Sequence, residues 1–254
     1  MNVHFAYLLG LISANSCFSV NNKELTIDLV RSVVNKNTSY EGYYHIPEVS
    51  NYKISQINAH KRDTEKIVEN IKELIKLNNS DDEISYKQIG KIHFRIHIGF
   101  KENSKIFNEI KKYNLKIEQS HNRVIPFIPE KIINSNENKI ILAFLRGYCD
   151  IRSRISGSDS IYHLDNNGNK VFYNLRIGIS LSHNSPELLD IFKNLFQKIG
   201  IIKGLSISKP ESRPIREFLI RIDVKYIPYN LFSTHWRRIF LSDMKKFIET
   251  NKIS

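Results

Sequence analysis

The chain has 254 residues, enough for one large domain or two compact ones with a real hydrophobic core. Hydrophobic residues at 41% and charged residues at 25% argue against a disordered chain. Lys plus Arg number 38 against 26 Asp plus Glu, and the resulting charge of +12 favours polyanionic partners through counterion release.

Two cysteines, Cys17 and Cys149, supply neither a disulfide framework nor a zinc site of the common kinds. The nine histidines show no His-Glu-x-x-His spacing. The apolar run 5–12, followed by small residues, has the outline of a secretory signal. Against that reading, no Lys or Arg lies between Met1 and Ser19, and Asn15 fits a small-residue cleavage site poorly. No stretch reaches the roughly 18 apolar residues that span a bilayer, so no membrane partner is expected.

In chain order, residues 8–16 read LLGLISANS and are apolar all round from Leu8 to Ile12, as in a helix buried on every side. Residues 53–76 predict a short strand, a polar turn and a helix with Ile67, Ile71, Leu74 and Ile75 on one stripe. From Lys87 to Ile98 the residues alternate. Lys87, Lys91, His93, Arg95 and His97 share one face, and Ile92, Phe94, Ile96 and Ile98 the other. With no acid between Ile84 and Lys101, this predicts a cationic ridge above a core face. The competing reading is a solvated outer face on a basic protein. A helix near 104–113 follows. Two prolines in 125–130 and the polar run 134–138 then mark a linker.

Residues 145–153 read LRGYCDIRS. Asn174, Arg176, Ser180 and Ser182 share a polar strand face suited to base and phosphate contacts, or to an ordinary amphipathic strand. Ser185 as N-cap, Pro186 at the first position and Gly200 at the end frame a helix. Lys209, Arg213 and Arg216 surround a Pro-containing turn, where Lys209 and Arg213 are candidates for gripping phosphate. Residues 218–226 alternate as a strand, and a last helix is expected over 242–250. Trp236, ahead of two arginines, suits a core better than a stacking platform.

The chain repeats itself. Gly10 and Gly147 stand 137 residues apart, and at that separation Ala6, Leu8 and Ser16 fall on Ala143, Leu145 and Ser153. The downstream strand and helix patterns repeat too. The expected architecture is α+β: a first repeat over 1–124, a linker over 125–138 and a second repeat over 139–254, each an antiparallel sheet with helices.

The two motifs, with the Ile-Pro-Glu phrase at 128–130, resemble the LAGLIDADG homing endonuclease family in its single-chain, two-motif form. The resemblance implies pseudo-twofold repeats packed through two central motif helices. It also implies two curved sheets saddling a DNA major groove, which a β-ribbon can enter, and a monomer with internal pseudo-dimer symmetry.

In that family the eighth motif residue is an acid holding divalent metal, a task for hard anionic oxygens. Here Asn15 and Arg152 occupy those positions. Asparagine is a weak neutral ligand, and arginine is a fixed cation that repels a metal or takes its place beside phosphate. Asp150 remains as the candidate catalytic or metal-binding acid, with a structural role at the interface of the halves as the competing reading. Asp28 and Asp223 lie on strand patterns without being singled out. A serine or cysteine nucleophile near the motif end finds no histidine-acid pair.

Three functions stay open. The first is sequence-specific binding of double-stranded DNA with impaired or lost cleavage. The second is an active endonuclease using displaced acids such as Asp150, with Mg²⁺ as cofactor. The third is an RNA maturase. An intracellular protein is expected, with no compartment assigned.

Overall fold

The computed structural model describes residues 1–30, 56–90, 93–118, 121–156, 162–164, 170–172, 178–183, 185–208, 218–234, 238, 241–242, 245–246 and 249. Six helices are described: α1 (Val3–Asn15), α2 (Gln56–Leu77), α3 (Lys105–Lys111), α4 (Glu130–Ile133), α5 (Asn138–Arg152) and α6 (Pro186–Lys198). They alternate with twelve described strands. The first six are β1 (Ser16–Ser19), β2 (Glu24–Val30), β3 (Glu83–Gly90), β4 (His93–Gly99), β5 (Ile117–Glu118) and β6 (Arg123–Val124). The others are β7 (Arg154–Ser156), β8 (Tyr162–Leu164), β9 (Lys170–Phe172), β10 (Gly178–His183), β11 (Leu205–Ser208) and β12 (Phe218–Asp223).

The strands form a six-stranded sheet of order β3-β4-β2-β1-β6-β5, a four-stranded sheet of order β11-β12-β10-β7, and the β8-β9 hairpin. Every pairing is antiparallel. This is the α+β architecture expected from the sequence, with one large sheet and its helices ahead of α5 and a second after it.

α1 and α5 form the centre. Asn2 caps α1 by accepting from Phe5 N at 2.7 Å, and every residue from Phe5 to Ala14 is buried. A helix with no polar stripe needs apolar partners all round, and α5 is the main one. The approach is reciprocal. A Cβ on Gly10 would collide with the Phe144 carbonyl and lie 2.9 Å from Tyr148 N; one on Gly147 would collide with the Tyr7 carbonyl and lie 3.0 Å from Leu11 N. Tyr7 and Leu11 correspond to Phe144 and Tyr148 at the 137-residue separation. The helix ends match as well: Ser16 Oγ donates to Ile12 O at 2.8 Å, and Ser153 Oγ to Cys149 O at 2.6 Å.

Around this seam α2 lays Ile67, Val68, Ile71 and Leu74 into the core, where Leu25, Ile27, Phe94, Ile96 and Ile98 of the first sheet are buried. Beyond α5, Tyr148 packs on Phe192 of α6 with ring centroids 4.3 Å apart. Ser185 caps α6 by accepting from Leu188 N at 3.2 Å, Pro186 opens it, and Gly200 follows with φ at +93°.

Several expectations are revised. Within 53–76, read as a short strand, a polar turn and a helix, the chain is helical throughout from Gln56 in α2. The alternating run from Lys87 to Ile98 is not one strand: Lys87 belongs to β3, which pairs with β4. The strand pattern 218–226 ends at Asp223 and passes into a 3-10 turn, Val224–Tyr226. The segment read as a linker is tied down, because Ile132 of α4 is buried and Phe127 N donates to Ser13 Oγ at 3.0 Å. Of the helix expected over 242–250, residues 242, 245, 246 and 249 are described and are helical, and the others lie outside the described residues.

Candidate nucleic-acid interface

Strand alternation divides the first sheet into a buried and a polar face. In β4, Phe94, Ile96 and Ile98 are buried while His93, Arg95 and His97 are half-exposed. β2 alternates likewise, with Thr26 and Asp28 turned away from the core. Directly paired residues share a face, so the registers build two rows. One is Lys87–Arg95–Asp28, and the other is Ser85–His97–Thr26–Cys17–Arg123. Lys87 therefore joins Arg95 on the polar face although it sits on another strand. Lys87 is exposed and no described carboxylate pairs with it.

The ridge is less cationic than the local sequence suggests, because β2 brings acids against it. Asp28 Oδ1 and Oδ2 accept from Arg95 Nε and Nη2 at 2.7 and 2.9 Å. Bidentate pairing of this kind is charge-assisted and planar. These bonds raise the Arg95 guanidinium above its ordinary value, and partial burial opposes them. His93 Nε2 stands 3.4 Å from the same carboxylate without hydrogen-bond geometry, and His97 Nε2 lies 3.6 Å from Glu24.

On the second sheet, Ser180 stands opposite Arg154 and Arg221, and Ser206 opposite Arg221, giving the row Arg154–Ser180–Arg221–Ser206. Ser182 pairs in register with Leu219. Lys91, Asn174, Arg176, Lys209, Arg213 and Arg216 lie outside the described residues. Arg123, Arg154 and Arg221 were not singled out in the sequence. Only pairing register assigns them to these rows.

Asn15 ends α1, and its Nδ2 donates to the Asp28 carbonyl at 2.9 Å, fixing the helix end to β2. Arg152 ends α5, two residues before β7. It hydrogen-bonds Tyr148, whose phenol burial pushes up to about 12 against the nearby guanidinium. The buried Arg152 Nε has no hydrogen-bond partner among the described residues.

Asp150 is fully buried. It accepts from Tyr7 Oη at 3.0 Å, from Ser233 N at 3.2 and 3.3 Å, from Thr234 Oγ1 at 3.4 Å, and from Ser233 Oγ. Burial first, and the Asp150 charge next, hold the Tyr7 phenol well above its ordinary value.

A divalent cation of the kind the family resemblance implies finds poor donors here. Asn15 turns its NH₂ group to a carbonyl, Arg152 is a cation, and Asp150 is enclosed by donors. Among the described residues no group of three or more His, Cys, Asp or Glu could hold a metal ion. Cys17 and Cys149 form no disulfide. No described helix is long and apolar enough to cross a membrane.

No protein-family profile matches the sequence, and no curated protein matches it. Among solved structures, the chain is similar to I-DmoI in complex with DNA and Ca, at 13% identity and a TM-score of 0.49. That alignment covers 95% of this chain and 99% of the other. I-DmoI in complex with DNA and Mn matches at 15% identity and a TM-score of 0.44, covering 100% and 99%. Mesophilic variants of the homing endonuclease I-DmoI match at 13% identity and a TM-score of 0.45, covering 96% of each chain.

Proposed function

We propose that this protein binds double-stranded DNA sequence-specifically, as a LAGLIDADG homing-endonuclease-like monomer of two repeats whose cleavage chemistry is impaired or lost. The observation that carries the binding is the polar face of the first sheet, where Lys87, Arg95, His97, His93 and Arg123 stand on strands whose other face is core. Lys87 and Arg123, which have no described ion-pair partner, suit neutralisation of phosphates, while Arg95, already paired with Asp28, and the Ser, Thr and His side chains beside it suit hydrogen bonds to base edges. On the second sheet the pairing register puts Arg154, Ser180, Arg221 and Ser206 in one row, residue types suited to the same contacts.

The loss of cleavage is supported by Asn15 and Arg152 at the ends of the two central helices, where the resemblance implies acids. Asp150 is enclosed by four side-chain and backbone donors, which favours a structural role over service to a metal. Asp28, another carboxylate near a motif end, is neutralised by Arg95. Arg152, a fixed cation at the end of α5, suits a place beside a phosphate better than coordination of a metal.

The test is selection from a randomised duplex library in Mg²⁺ or Mn²⁺, with the bound and cut fractions sequenced separately. A bound consensus without metal-dependent cutting is expected. Cutting that requires metal and disappears in Asp150→Asn would overturn the non-cleaving assignment. Absence of any enriched bound sequence would overturn specific binding.

A further inference from the structure

The N-terminal end of α1 borders a cavity. About 16 Å along the helix from Asn15, at 1.5 Å per residue, this cavity of about 210 Å³ opens beside Val3 and His4. α2 contributes Lys66, Asn70 and Glu73 to its wall, α5 contributes Arg146, and the segment after the second sheet contributes Ser233 and Arg238. Three cations thus face one cavity carboxylate. That carboxylate, Glu73, lies 3.7 Å from His4 Nδ1 and is 59% exposed, so it turns largely to solvent. Lys66 is also held by Glu69 on the outer face, at 2.9 Å.

The two arginines are the informative pair. Arg146 donates Nε to the Asn230 carbonyl at 2.7 Å, which anchors its fork at the cavity wall. Burial lowers its ordinary value, the Asp150 charge opposes that, and the Arg238 charge pushes it down again. Arg238 is therefore close enough to repel Arg146. Among the described residues neither guanidinium has a carboxylate at ion-pair distance. Two like charges facing a shared cavity are relieved by an anion between them, and planar guanidinium forks match phosphate oxygens. The positive end of α1, a 13-residue helix, adds to the same field. The cavity is smaller than the roughly 300–1,000 Å³ of pockets for drug-sized ligands, which suits a single tetrahedral oxyanion.

We propose that this cavity is a phosphate-binding site, separate from the sheet faces, with Arg146 and Arg238 as forked donors and Lys66 as a further positive charge. The phosphate comes either free in solution or as part of a nucleic-acid strand. The site uses none of the residues assigned to the proposed interface, so either assignment can fail without the other.

The test is made on the full chain with Arg238→Gln and Lys66→Gln, both at accessible positions. Arg146 is left intact because it anchors Asn230. Thermal unfolding is measured in inorganic phosphate against sodium chloride of equal ionic strength. At ten times its Kd, a bound anion raises Tm by roughly 3–6 °C for a chain of this size. Loss of that rise in both variants, with its persistence in Lys87→Ala, identifies a free-phosphate site. If inorganic phosphate gives no rise but Arg238→Gln lowers the salt slope of duplex binding by about one, the site takes a strand phosphate. A phosphate effect unchanged in both variants, or neither a phosphate effect nor a slope change, overturns the proposal.

Discussion

Tyr7 Oη donates to Asp150 Oδ2 at 3.0 Å, joining α1 to α5 across 143 residues of sequence. The same carboxylate gathers Ser233 and Thr234, so the two helices and the segment after the second sheet close on one buried charge. Asp150→Ala leaves these donors unsatisfied and is expected to destabilise the protein by about 3–5 kcal/mol. Asp150→Asn keeps the shape and is expected to cost about 1–3 kcal/mol. Urea denaturation checks both, and unchanged midpoints would remove Asp150 from the structural account.

The glycine seam makes a second prediction. Gly10→Ala and Gly147→Ala each press a methyl group into the partner helix backbone, which cannot yield as a flexible side chain does. Each is expected to lose at least about 1–3 kcal/mol, the usual range for overpacking, and the two losses should be similar because the contacts are reciprocal. A thermal melt in which one variant matches the parent would show that the helices separate more readily than the geometry implies.

Lys87→Ala is expected to weaken duplex binding across all sequences and reduce the slope of log affinity against log salt by about one. Lys87 has no described carboxylate partner, so its whole charge is available to phosphate. A titration of a labelled duplex at several salt concentrations measures this. An unchanged slope would take β3 out of the interface.

Alkaline pH gives a fourth test. Tyr148 is buried and its phenol titrates near 12 in the folded protein against an ordinary value of 10.0. The folded state thus holds the proton more tightly than the unfolded state. The stabilisation is complete below pH 10, falls as pH rises from 10 towards 12, and amounts to about 2–3 kcal/mol for that residue. Tyr7 acts in the same direction. Chemical denaturation at stepped pH should show falling stability above pH 10, with a shallower fall in Tyr148→Phe. Flat stability across that interval would contradict the burial of these phenols.

Much of the architecture was legible in the residues themselves. Gly10 and Gly147 with their apolar neighbours announced the central helices, because only a helix buried on every side dispenses with a polar stripe. Ser185 marked a helix start as an N-cap acceptor, and Pro186 did so by fitting the first helical position, which needs no N–H donor. The polar face of β4 followed from alternation alone, and Lys87 reached the correct face only because odd-numbered positions on β3 pair with odd-numbered positions on β4. What remained hidden depends on long-range register. Asp28 lies 67 residues from Arg95, and nothing local says that β2 pairs with β4 so as to oppose them. Arg123 enters its row through a short pairing with Cys17. Ser233 and Thr234, which enclose Asp150, come from a stretch without periodicity.

The Asp28–Arg95 pair has one more outcome. A free surface arginine samples many rotamers and must surrender that freedom when it meets a ligand. Arg95 is already clamped at Nε and Nη2, and its remaining N–H donors are held in a fixed plane above the sheet. Under the proposed function, a duplex over this strand would meet a rigid donor plane instead of a searching arm. The same reading makes Arg95 favour sequences that place an acceptor in that plane.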